Sequence, residues 1–334
     1  NGRTTTNIRP QPLRGAEARV LWETGKNRGA IVKSAELTGD GRIVFRTGLT
    51  YGNAVIGLFD ASGNCIWSWH IWSQNYDPAA TAQTYTSGAV FMDRNLGALE
   101  TDYTQPASRG LYYQWGRKDP FPYPALATNA YIPAPTVYAA GFEYAESDPR
   151  NSGTESPYDA MTLEWAAAHP TTYMDGVSFE DWEEWASSLD WLCDHHPNLW
   201  GNVTTGKNNI SRTSHKSVYD PCPPGWKVPG AEDFAGIERI SVSAPYYVTI
   251  RYNGSLTTKI PLGGTFYEGR YDRNGSLGRL YTNAPYYLHW GSSTGVFYDT
   301  ACTSILFDTS NYPPFINTTD FYRYAANPMR CIRE

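Results

Sequence analysis

The first quarter of the chain alternates apolar and polar residues with the two-residue period of strands. Ala18-Arg-Val-Leu-Trp22, Ile31-Val-Lys-Ser-Ala-Glu-Leu37 and Ile43-Val-Phe-Arg46 are three such runs. Asp40-Gly41 between the last two is a strong short-turn pair, so they are expected to form a hairpin. Ala54-Val-Ile-Gly-Leu-Phe59 comes next, then the turn residues Asp60-Ala-Ser-Gly63, then Cys65-Ile-Trp-Ser-Trp-His-Ile-Trp72. In that last run Cys65, Trp67, Trp69 and Ile71 fall on one face, and Ile66, Ser68, His70 and Trp72 on the other. Large side chains cover both faces, which predicts a central strand buried on both sides.

The pattern changes from about residue 85. Gly88–Met92 and Gly110–Trp115 are short strand-like runs, the second leading into Gly116-Arg-Lys-Asp-Pro120. A proline-rich stretch over 121–157 has little periodicity and is expected to be an irregular surface excursion. Steps of three and four residues then predict helices over Met161–His169 and Phe179–Leu192. In the second, Phe179, Trp182, Trp185 or Ala186, Leu189 and Leu192 form the apolar stripe, with Ser178 as N-cap. A third helix is expected over Ala231–Ile240, with Gly230 as an acceptable N-cap. Short strands separated by Gly/Asn turns complete the chain: Tyr246–Tyr252, Lys259–Tyr267, Tyr286–Trp290, Thr303–Asp308 and Met329–Ile332. The expected fold class is therefore α+β, with a flexible arm over 1–14, a β-rich extension over 15–84 packed on the rest, and a main domain over 85–334.

Composition narrows the function classes. Twelve Trp, 25 Tyr and 12 Phe stand against 18% charged residues, below the roughly 25% usual for soluble domains. The net charge is −6, and no more than two Lys/Arg are adjacent. No nucleic-acid partner is expected, because neutralising phosphates needs a basic face. No apolar run approaches the length of a membrane-crossing helix, so no transmembrane segment is expected. No leader-like segment opens the chain, as none would in a mature ectodomain. The five cysteines, Cys65, Cys193, Cys222, Cys302 and Cys331, include no C-x-x-C pair, so zinc or redox chemistry is not expected and at most two disulfides can form.

Several clusters have a functional and a plainer reading. Cys193-Asp-His-His196 offers metal-ligating groups, but adjacent histidines on a helix point about 100° apart, and a polar helix terminus is expected. Asp181, Glu183 and Glu184 suit the start of a helix, where acids complement the dipole. Asp272-Arg-Asn-Gly-Ser276 lacks the ligand set and closing Glu of a calcium loop and is expected to be a turn. No cofactor is expected, and a structural Ca²⁺ has no motif behind it. Trp67, Trp69, Trp72, Trp115 and Trp226 are assigned to the core. The tyrosines near the C-terminus differ, being interleaved with Asn, Asp and Thr instead of aliphatics. Tyr supplies contact area and a hydrogen bond at low entropy cost, which favours it in binding surfaces. Candidate ligand-binding residues are therefore Tyr286, Tyr287, His289, Tyr298, Asp299, Asn311, Tyr312, Asn317, Asp320, Tyr322 and Tyr324, on loops between about Tyr281 and Tyr324; core packing is expected to claim some of the aromatic residues.

A set of blocks carries a family resemblance. Val90-Phe-Met-Asp-Arg-Asn-Leu-Gly-Ala98, Gly110-Leu-Tyr-Tyr-Gln-Trp-Gly-Arg-Lys-Asp-Pro-Phe121, Tyr219-Asp-Pro-Cys-Pro-Pro-Gly-Trp-Lys-Val-Pro229, Leu262-Gly-Gly264, Trp290-Gly-Ser-Ser-Thr294 and Met329-Arg-Cys-Ile-Arg333 occur in that order. Together they resemble the Fibrobacter succinogenes major paralogous domain, over roughly residues 85–334. That resemblance implies the formylglycine-generating-enzyme branch of the C-type lectin-like fold, displayed on surface lipoproteins and fimbria-associated proteins. It also implies that Cys222 and Cys331 lie near each other as a candidate disulfide, whose loop would contribute about 4–5 kcal/mol. Relatives of the fold serve as the diversified proteins of retroelement systems, and the Tyr/Asn/Asp/Ser/Thr composition of 286–324 is of the kind that process produces. The oxidase chemistry of the branch is not expected here. It needs paired cysteines near the C-terminus, where only Cys302 and Cys331 stand, and Cys331 braces the last strand. The Glu-Pro-Asn, Gln-Pro-Asp and Trp-Asn-Asp strings of calcium-dependent lectins are absent from the sequence.

The resulting expectation is a non-catalytic cell-surface or outer-membrane ligand-binding and adhesion module, fimbria-associated, whose partner is a host or microbial surface glycan or protein. The rivals are a structural pilus or surface-layer subunit that binds neighbouring pilus subunits by strand addition, and a carbohydrate-active enzyme.

Overall fold

A computed structural model describes residues 12–25, 27–122, 137–139, 143–145, 162–174, 189–192, 196–201, 214–243, 245–267, 270–272, 275–289, 297–309 and 315–334. Strands dominate it. Glu17–Thr24, Gly52–Phe59 and Cys65–Ser73 form an antiparallel sheet that Val137–Ala139 extends beyond Glu17–Thr24. Val32–Leu37 and Ile43–Thr47 form a separate hairpin sheet. The turn residues act as their chemistry dictates. Gly41 and Gly63 both sit at positive φ, and the Asp60 carboxylate accepts the backbone N–H groups of Ser62 and Asn64.

Cys65–Ser73 corrects one expectation. Among the described residues it pairs only with Gly52–Phe59, so it is an edge strand, not a central one. Its aromatic side chains are covered from outside the sheet. Trp67 packs edge-on to Tyr219 and lies under the Lys118 ammonium, while Trp69 is 37% exposed.

The C-terminal blocks sit on small sheets. Val90–Phe91 lies between Gln83–Thr84 and Ile332–Arg333, which also pairs with Trp226–Lys227. Leu111–Gln114 pairs with Phe121–Pro122 and with Ala326–Asn327, beyond which lie Thr265–Tyr267 and Arg270–Asp272. Glu238–Ser243, Tyr247–Asn253 and Leu256–Pro261 make an antiparallel meander. The longest strands, Leu277–His289 and Phe297–Asp308, pair antiparallel, and Phe315–Tyr322 adds to the second of them.

The expected α+β class is overturned. The only α-helix among the described residues is Leu163–Ala168, capped by the Thr162 side chain and shorter than the Met161–His169 expected. The Phe179–Leu192 helix falls mostly outside the described residues, and 189–192 are not helical. The helix expected over Ala231–Ile240 is a single 3-10 turn, Ala231–Phe234, succeeded by the strand Glu238–Ser243. Asp233 accepts the Gly230 backbone N–H at the start of the turn. Gly236, at positive φ, stops it, and pairing with Tyr247–Asn253 draws residues 238–243 into the sheet.

One core unites the two ends of the chain. Trp22 and Val55 from the N-terminal sheet pack with Met92, Leu111, Trp115, Trp200, Tyr281, Met329 and the sulfurs of Cys222 and Cys331. A second core lies between the meander and the long sheet, around Val248, Ile250, Ile260, Leu280, Ile305 and Phe307.

Candidate functional site

The central strand Phe297–Asp308 is buried throughout its described side chains, Ala301–Asp308. Strand alternation sends Ile305 and Phe307 to the second core and Cys302 to the first, so both faces are consumed by packing. Its partner Phe315–Tyr322 is different. Thr318 and Asp320 are exposed, and Thr319, Phe321 and Tyr322 are half-buried.

Four planar groups stack along that edge. The Arg279 guanidinium sits 3.6 Å from the Phe321 ring centre. Phe321 stacks on Tyr322 at 5.0 Å and 17°, and Tyr322 stacks on Tyr324 at 5.2 Å and 18°. Arg279 and Tyr324 are buried, so the half-buried pair is held from both sides. Arg279 Nη1 also donates to Ser304 Oγ at 2.6 Å and Thr319 Oγ1 at 3.0 Å, which fixes the guanidinium across the strands.

The support beneath is a set of buried charges. Tyr281 Oη donates to the carbonyls of Tyr322 and Ala325, both at 2.8 Å. Arg323 Nη1 pairs with Asp190 Oδ2 at 2.8 Å, its Nε donates to the Ala301 carbonyl, and its guanidinium covers Trp115. Trp115 Nε1 donates to the Thr282 carbonyl and Trp191 Nε1 to the Trp115 carbonyl. The block around Cys222 is fixed in the same way. Lys216 Nζ pairs with Asp220 at 2.8 Å, and that carboxylate accepts the backbone N–H groups of Cys222 and Val228 at 2.9 Å. Burial pushes the Asp220 carboxyl up, with Lys216 opposing it. Cys222 is joined to Cys331 by a disulfide, with Cα atoms 6.0 Å apart.

The Gly116–Pro120 block is an anchor of the same kind. Arg117 Nη1 donates to Gln114 Oε1 and to the Thr172 carbonyl, and its Nη2 to the His169 carbonyl. Lys118 Nζ contacts both Ser68 Oγ and Asp119 Oδ1, and Ser68 Oγ donates to Asp119. A serine beside a lysine has the groups of a nucleophile and base. Here both are buried and bonded to one another and to Asp119, which makes them a brace between the N-terminal sheet and the block. Desolvation pushes the Lys118 ammonium down and Asp119 opposes it.

The sequence-predicted site residues divide accordingly. Asp320 is exposed and Tyr322 half-buried on the edge strand. Tyr286 is half-buried and shares a cross-strand row with Tyr322 through Ala301. Tyr287 and His289 lie on Leu277–His289, Tyr298 and Asp299 on Phe297–Asp308, and Asn317 on Phe315–Tyr322, placed by their backbone alone. Asn311 and Tyr312 lie outside the described residues. Tyr324 is 4% exposed and accepts hydrogen bonds at its carbonyl from Gln114 and Tyr173, so it belongs to the core and not to a recognition surface. The segment expected as recognition loops is largely sheet. Arg279 and Thr318 are not marked by the sequence pattern, whereas Phe321 belongs to the C-terminal aromatic residues interleaved with Asn, Asp and Thr.

Among the described residues, no group of three or more His, Cys, Asp or Glu is placed to hold a metal ion, and no helix is long and apolar enough to cross a membrane. In comparisons with known proteins, no family model, no curated protein and no solved structure matches the chain. The expected C-type lectin-like fold is thus not identified, and the architecture stands as a set of small sheets, antiparallel except for the parallel pair Glu143–Ala145 and Thr172–Met174.

Proposed function

We propose that the chain is a non-catalytic ligand-binding and adhesion module, displayed on a bacterial surface, that recognises a surface glycan or protein through the edge strand Phe315–Tyr322. The observation that carries this is the stacked ladder Arg279–Phe321–Tyr322–Tyr324 beside exposed Thr318 and Asp320. Aromatic rings already immobilised by stacking lose little freedom when a ligand packs against their open edges, and adjacent hydroxyl and carboxylate groups supply directional bonds. The Cys222–Cys331 disulfide supports an extracytoplasmic location, where such bonds persist. The ordered blocks that resemble the Fibrobacter succinogenes major paralogous domain point the same way.

The test is binding of the intact chain to a glycan array and to host cells, beside Tyr322→Ala and Thr318→Ala. Loss of binding in variants that still melt cooperatively supports the edge strand as the site. Unchanged binding by both variants places recognition elsewhere.

A further inference from the structure

Four of the eight exposed large apolar side chains among the described residues, Val44, Phe45, Leu49 and Tyr51, fall within residues 44–51. They lie on the strand Ile43–Thr47 and just beyond it, on a hairpin held firmly at its base. The buried Glu23 carboxylate accepts backbone N–H groups from Gly29, Ala30, Ile31 and Val32. Gly48 donates to the Ile31 carbonyl, and a Cβ at Gly48 would come 1.9 Å from the Ala30 oxygen. Exposed apolar residues on a pinned hairpin are a surface shaped for contact.

The register shows what the edge offers. Thr38 donates to the Arg42 carbonyl and Gly48 to the Ile31 carbonyl, which makes both rows hydrogen-bonded ones. With Leu37 opposite Ile43, Glu36 opposite Val44, Ala35 opposite Phe45, Ser34 opposite Arg46 and Val32 opposite Thr47, alternation assigns the inward bonds to Val44 and Arg46. The N–H and C=O groups of Ile43, Phe45 and Thr47 then point outward. Among the described residues no strand takes them.

We propose that Ile43–Thr47 pairs antiparallel with the same strand of a second copy of this chain, about a two-fold axis at Phe45. That register sets Ile43 opposite Thr47, Phe45 opposite Phe45 and Thr47 opposite Ile43, each an outward-bonding residue facing another. Two two-stranded sheets become one of four strands, past the three strands that a sheet with an apolar face needs for independent stability. The charges fit as well. Val44 faces Arg46 of the second copy, and Glu36 lies behind Val44 in the same row, about 9.5 Å between Cα atoms across two strand spacings. Extended Glu and Arg side chains span that gap over the valine, twice per dimer. Leu49, fully exposed, falls beside Gly41 of the second copy, where a Cβ would meet nothing within 4 Å. The contact is isologous and closes at two.

Sedimentation equilibrium of the intact chain tests this. A species of twice the 37.3 kDa chain mass is expected. Glu36→Arg and Arg46→Glu should each weaken the dimer at least tenfold with unchanged melting of the dilute monomer, because each leaves like charges facing across Val44. The double variant should restore it. Removal of residues 1–11 should leave the dimer intact. A monomer at every concentration, a dimer indifferent to both charge reversals, or one lost with residues 1–11 would overturn the proposal.

Discussion

The C-terminal blocks and the N-terminal hairpin use the same residue types in opposite ways. In the blocks, Arg117, Lys118, Asp119, Lys216, Asp220, Arg323 and Arg330 are buried, while in the hairpin Val44, Phe45, Leu49 and Tyr51 face solvent. The inversion is not a failure of hydrophobic sorting, because each buried charge in the blocks has a partner within the fold. Arg330, for example, donates to the Lys259 carbonyl and approaches Asn95. A charge can be buried where the fold supplies its bonds, and an apolar side chain stays outside where the fold has run out of cover. One region is a closed scaffold; the other is an open edge.

The largest effect should come from opening the scaffold. Replacing both Cys222 and Cys331 by Ala should cost about 4–5 kcal/mol, given the 109-residue separation, read from chemical denaturation. Asp190→Ala should cost about 3–5 kcal/mol by leaving Arg323 buried without its carboxylate. A loss below about 1 kcal/mol, the usual value of an exposed pair, would mean that water reaches Arg323.

His70, half-buried on Cys65–Ser73, gives a pH-dependent break beside the core. Its Nε2 meets Asn53 Oδ1 at 2.9 Å and its Nδ1 meets Tyr113 Oη at 3.4 Å, which suits a neutral ring that donates once and accepts once. Desolvation pushes its pKa down to about 3. The unfolded chain therefore takes up this proton first, near pH 6.5. Stability from this group is complete above that pH and falls as pH drops toward 3. The loss should be on the order of 1–2 kcal/mol at pH 5, measured as Tm against pH and absent in His70→Gln.

The hairpin should respond differently. Gly48→Ala should cost about 1–3 kcal/mol, because the new methyl meets the Ala30 carbonyl. Leu49→Ser, at the exposed end, should change unfolding free energy by less than about 0.5 kcal/mol in dilute monomer.

The N-terminal strands were readable because alternation and Asp-Gly turns are local signals. The buried charges were not. Arg117-Lys118-Asp119 looks like a solvated turn in one dimension, and only the approach of Ser68, Thr172 and His169 from distant segments makes burial possible. The third helix failed for a related reason: Glu238–Ser243 has no strong propensity of its own, and pairing with Tyr247–Asn253 decided its form. In the C-terminal segment, Thr, Ser and Tyr suit loops, yet Thr and Tyr also favour strands. Arg279, Thr318 and Phe321 come together with Asp320 and Tyr322 only once the register of three strands is set.

The most direct measurement sets binding beside stability for Asp320→Ala, the exposed acid on the edge strand. Tm is expected to stay within about 2 °C of the parent, as for a surface substitution, while binding to the glycan or cell surface recognised by the intact chain is lost. Full binding by that variant, together with full binding by Tyr322→Ala, would contradict the assignment of recognition to this strand.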